Sequence, residues 1–187
     1  MARPPAPDPI KALLRAWLAR KGPVFKVAAK FGGLMVAYYI FTLFPFFDRT
    51  LNGMVIYTAR SASCLLNLMG ERNSLIEGTI ASGDFSITVL KACTCAEFVW
   101  FYCAALIAFP SRWPRKIPGI LIGAVVILAL NVIRITTLFL VGVHFRSAFD
   151  AFHEQVWSIL LVVATICLTV AWIGWARRDD DLNSNAA

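Results

Sequence analysis

Four stretches of the chain are almost wholly apolar: Phe31 to Phe47, Cys95 to Pro110, Ile117 to Val143 and Val156 to Ala176. About 20 apolar residues in a helix cross the hydrocarbon core of a bilayer, so the long runs predict spanning helices. Cys95 to Pro110 is short, and is expected to start a few residues earlier or to cross where the membrane is thinned. Leu51 to Gly70 has another pattern: Leu51, Met54, Val55, Ala59, Ala62, Leu65, Leu66 and Met69 recur at helical spacing opposite Asn52, Arg60, Ser63 and Asn67. That is an amphipathic helix, of the kind that lies on a membrane rather than crossing it. In "SLIEGTIASGDFSITVLKA" two short β-prone runs flank "ASGD", and Phe85, Ile87 and Val89 alternate with Ser86, Thr88 and Leu90, which predicts a small β-hairpin. "MARPPAPDP" and "DDDLNSNAA" read as disordered tails by composition. The fold class is an all-α polytopic membrane protein, with about four transmembrane helices, an outer amphipathic helix and a small β-hairpin. Residues 1–30 form a basic N-terminal segment, 31–176 the membrane-embedded domain and 177–187 a C-terminal tail.

Composition agrees: of 187 residues, 59% are hydrophobic and 16% charged, with mean hydropathy +0.69. The net charge of +7 does not imply nucleic acid, because the basic residues flank apolar runs, where they orient the chain in the membrane. Lys and Arg in short loops favour the cytoplasm. Lys11, Arg15, Arg20, Lys21, Lys26 and Lys30, then Arg112, Arg115 and Lys116, then Arg177 and Arg178, fall on that side together only if Leu51 to Gly70 does not span. Both ends are then cytoplasmic, Asp48 to about Lys91 lies outside, and the first span is a signal-anchor candidate.

The five cysteines give neither a disulfide framework nor zinc-ligand spacing. Cys64, Cys103 and Cys167 read as packing residues. Cys93, Cys95 and Glu97 stand at the mouth of the short run. Arg134, roughly 25 Å along its helix from Ile117, lies near the outer end with Asn131 on the same face, and His144 and His153 occupy the next outer loop. An ionisable residue inside a membrane is a functional hypothesis by default. A thiol just before a helix can become a thiolate, a histidine can hold its proton and pass it to a leaving amine, and an arginine can stabilise an oxyanion. Each residue taken singly has a plainer reading: Arg134 snorkelling to headgroups, His153 at the interface, Cys93 inert, Glu97 neutralising Arg134 as a structural pair. Their convergence on one face points to thiol catalysis, as a hydrolase or acyl transferase.

"ACTCAE", "LNVIRITTLFLVG" and "FHEQVWSILLV" resemble the three motifs of the exosortase and archaeosortase family, and the chain's brevity resembles the compact exosortase H group. The resemblance runs from about Phe41 to Trp175. It implies a multi-pass enzyme of the cell (inner) membrane, without cofactor or metal, with its active site on the extracytoplasmic face. Such an enzyme acts as a cysteine protease or transpeptidase on exported proteins carrying a C-terminal recognition motif, hydrophobic helix and basic tail. By motif position Cys93 matches the nucleophile, Arg134 the essential arginine and His153 the essential histidine; Glu97, Asn131 and Cys95 support them, and His144 has no counterpart. The family usually has glycine where this chain has Cys95. Two other classes remain open: a thiol redox membrane protein cycling Cys93 and Cys95, and a non-enzymatic scaffold or transporter using Arg134 as a charge site.

Overall fold

A computed structural model describes the backbone of residues 9–185 and the side chains of residues 21–178. Helices α1 (Pro9–Thr42) and α2 (Pro45–Leu68) divide the apolar run that reads in sequence as Phe31 to Phe47. The residue before a proline is driven out of the α region, and Phe44 is extended at φ −90°, ψ 135°. Pro45 then opens α2, where its missing N–H costs nothing. Among the residues whose side chains are described, Lys21–Thr42 is of membrane length, and the helical backbone of α1 runs from Pro9. Residues 1–8 of the N-terminal tail lie outside the described residues.

The amphipathic helix predicted from Leu51 is present and starts six residues earlier. It buries Ala59, Ala62 and Leu66 against Ile80, Val89, Ile135 and Phe139, with Arg60 exposed. It ends because Gly70, at φ 91°, takes the left-handed conformation. Gly70 N–H then bonds Asn67 O at 3.1 Å and Glu71 N–H bonds Leu66 O at 3.0 Å, closing the last turn.

The predicted hairpin supplies two strands of a three-stranded antiparallel sheet: β1 (Ser74–Ile76), β2 (Thr79–Ser82) and β3 (Phe85–Thr88), in that order. β1 pairs Ile76 with Thr79 across the two-residue turn Glu77-Gly78, where both residues have positive φ, 46° and 87°. That is the twist-matched hairpin turn, written here with Glu, which seldom adopts it.

After Leu90 the chain makes a tight 3₁₀ turn, Lys91–Thr94, and Cys95 adopts φ 56°, ψ 20°. A left-handed residue cannot continue a right-handed helix, so α3 (Ala96–Ala108) begins at Ala96, and of the two alternatives for this short run the earlier start is not met. Its 13 residues span about 20 Å. Among the described residues three segments, Lys21–Thr42, Trp113–His144 and Arg146–Arg178, are long and apolar enough to cross a membrane, and α3 is a shorter apolar helix.

α3 packs against α1, α4 (Trp113–His144) and α6 (Trp157–Asn185). Trp100 Nε1 donates to Leu34 O at 3.0 Å, and the Tyr102 hydroxyl to Gly119 O at 3.0 Å. Between α4 and α6 the chain forms a 3₁₀ turn (Arg146–Ala148), a single helical turn α5 (Phe149–Ala151) and a π-turn (Phe152–Val156). The acidic end assigned to a disordered tail is helical to Asn185, since propagating a formed helix is cheap compared with nucleating one. Cys64 and Cys167, expected to pack inside, are exposed, and Cys103 is half-buried.

Candidate active site

The Lys91–Cys95 turn lies against the C-terminal half of α4, and short-range bonds give it its shape. Lys91 forms an ion pair with Asp48 at the start of α2. Cys93 N–H bonds Leu90 O at 2.8 Å, and the buried Thr94 hydroxyl donates to Lys91 O at 2.7 Å. The fully buried Asn131 grips the turn from α4. Its Nδ2 donates to Cys93 O at 2.8 Å, and its Oδ1 accepts from Cys95 Sγ at 3.0 Å.

Arg134 sits one turn of α4 further on the same face, 8% exposed. Its Nη1 lies 4.0 Å from Cys95 Sγ, and its Nε is buried with no hydrogen-bond partner. The expected ion pair with Glu97 does not form. Glu97 is exposed at the first turn of α3, in a cavity of about 220 Å³ that it shares with Tyr38, Lys91, Thr94 and Cys95. Among the described residues no carboxylate forms an ion pair with Arg134.

The two thiols part company across the turn. Cys93, half-buried, packs with Phe85 and Ile87 against a first core of Ala62, Leu66, Ile135 and Phe139. Cys95 is 3% exposed, in the core formed by Tyr102, Ile127 and Leu161. Burial pushes the Cys95 thiol up to about 11, with the Arg134 guanidinium pulling the other way.

His153 belongs to the π-turn, a distortion frequent at functional sites. It is half-buried while its neighbours from Asp150 to Val156 are exposed. Its ring lies parallel to that of Phe149, centroids 5.8 Å apart and planes 5° apart. It shares no hydrogen bond with Cys93, Cys95 or Arg134 among the described residues. Three rings connect the two parts of the site: Phe149 meets Phe85 at 5.8 Å and Phe85 meets Phe139 at 5.7 Å. His144 stands apart, its Nε2 3.7 Å from Glu71 Oε1.

Cys93, Cys95, Asn131 and Arg134 thus come together as their motif positions suggest, and Glu97 borders the same turn. The Thr94 lock, the Lys91–Asp48 pair and the Phe149 stack are not apparent from the sequence. Phe149 and His153, four residues apart on a helical stretch, supplied the one signal available.

The family model for transmembrane exosortases of the EpsH type matches residues 12–172, and the chain belongs to that family. No curated protein and no solved structure matches it. Exosortases are membrane sorting enzymes of the cysteine transpeptidase kind, acting on exported proteins with C-terminal sorting signals.

Proposed function

We propose that the chain cleaves C-terminal sorting signals of exported proteins at the outer face of the membrane, through a thioester on Cys93. The observation that carries this reading is the state of Arg134. A guanidinium this buried, with Nε unpartnered and no carboxylate paired to it among the described residues, is costly. The cost is understandable if an anion develops there during reaction. Cys95, which touches it, is held as a neutral thiol by burial and is a poor nucleophile. Cys93, better exposed on the same turn, is the better one.

In the reaction Cys93 Sγ bonds to the scissile carbonyl carbon and its proton passes to His153. Arg134 stabilises the resulting oxyanion, and the C–N bond breaks as His153 returns the proton to the leaving amine. Water or an amine then attacks the thioester and releases Cys93. Hydrogen bonds between such groups are often loose without substrate and tighten in the Michaelis complex. The membrane anchors of enzyme and substrate confine both to one surface, and the scissile bond lies beyond the substrate's hydrophobic helix.

The test follows processing of an exported protein with such a C-terminal signal in cells carrying each variant. Cys93→Ala should leave the signal uncut. Arg134→Lys should process roughly 10²–10³ more slowly, since the lost donor is part of the anion site and a lysine lacks the planar fork. Normal processing by Arg134→Lys would remove the oxyanion role.

A further inference from the structure

We infer that Phe149 and Phe85 are positioning residues for His153, and that the outer sheet exists in part to hold that histidine's ring in place. This rests on the role of His153 proposed above. His153 lies in a short, mostly exposed connection between α4 and α6, and nothing in its own backbone fixes the ring. The stack on Phe149 does, because nearly parallel rings 5.8 Å apart leave only a limited arc of rotation. Phe149 is itself held edge-on by Phe85, the first residue of β3 (centroids 5.8 Å, planes 68° apart).

Phe85 in turn is fixed from several sides. Its ring meets Phe139 edge-on. It lies so close over Gly142 that a methyl group there would fall 2.0 Å from its Cζ. The Arg146 guanidinium covers it at 5.9 Å, and Arg146 Nη2 donates to Asp84 O at 2.9 Å, tying the tip of the hairpin to the loop that carries the histidine. Phe85 and Cys93 pack against the same core. The sheet and the cysteine turn therefore share one support, and the ring chain transmits it to His153.

A planar ring at 149 is required by this account, and apolar volume alone is not enough. The probe is iodoacetamide, applied to the full-length protein in detergent at neutral pH, with alkylation of Cys93 followed by mass spectrometry of its peptide and fragmentation separating it from Cys95. His153→Ala sets the reference, slowing alkylation through loss of the base. Phe149→Leu should slow it by roughly tenfold or more, within the ~10²-fold that a 1 Å misplacement can cost, at an unchanged unfolding midpoint. Phe149→Tyr should stay within about twofold, because the stack survives. If Phe149→Leu does not fold, Phe85→Leu carries the same expectation.

Alkylation slowed by His153→Ala but unaffected by Phe149→Leu would overturn the positioning role and leave the function intact. Equal slowing by Phe149→Leu and Phe149→Tyr would also overturn it, since packing and not stacking would then be at work. Alkylation indifferent to His153→Ala would remove both the pairing of His153 with Cys93 and this inference.

Discussion

Cys95 shows how much one residue can carry. It sits at φ 56°, a conformation costing a side-chain residue roughly 1–2 kcal/mol and glycine nothing, which fits the glycine that the resemblance leads one to expect here. The chain retains a side chain there and uses it, as a donor to Asn131 and a neighbour of Arg134. Cys95→Gly should keep the turn and the processing activity. The two thiols should also separate by pH: with its thiol held near 11, Cys95 is protonated at pH 8 and should resist iodoacetamide while Cys93 reacts. Labelling of Cys95 before Cys93 at pH 8 would make Cys95 the nucleophile. Their packing into different cores also counts against a redox pair.

At the scale of elements, the long helices were legible because a 20-residue apolar run leaves few alternatives in lipid. Breaks were less so. Pro45 splits an apolar run that composition treats as continuous, and Cys95 stops α3 from extending backwards, through a backbone conformation no periodicity reports. β1 was hidden because its turn is Glu-Gly, outside the usual Asn-Gly and Asp-Gly signals. In the site, spacing along α4 placed Asn131 and Arg134 on one face, and the resemblance to the family motifs singled out Cys93. The Glu97 pairing failed because sequence proximity to a helix mouth does not say which way the first turn faces. The sheet's seat on α4 gives a direct test. Gly142→Ala places a methyl group in the Phe85 ring, and because Phe139 and Phe149 block its retreat, the substitution should destabilise the protein by about 1–3 kcal/mol in denaturant titration. An unchanged midpoint would mean that the sheet is not seated there.

For the molecule as a whole, the core around Phe139, the cysteine turn and the π-turn gather towards one end of α4, and the basic loop Arg112, Arg115 and Lys116 lies at the other. Basic loops favour the cytoplasm, so a reporter fused after Lys116 should score as cytoplasmic and one after Arg146 as external. The reverse at either point would put the proposed site on the wrong side of the membrane. With α3 only 13 residues long, that outcome depends on so short a helix crossing the bilayer.

The covalent intermediate is the central claim, and mass spectrometry of the Cys93 peptide tests it most directly. Membranes containing the enzyme and an exported protein with a C-terminal sorting signal, quenched in acid during turnover, should yield that peptide with the substrate's new C-terminus attached as a thioester. The adduct should be absent from Cys93→Ala, which should leave the substrate uncut. Full processing by Cys93→Ala, or an adduct on Cys95 in place of Cys93, would contradict the account.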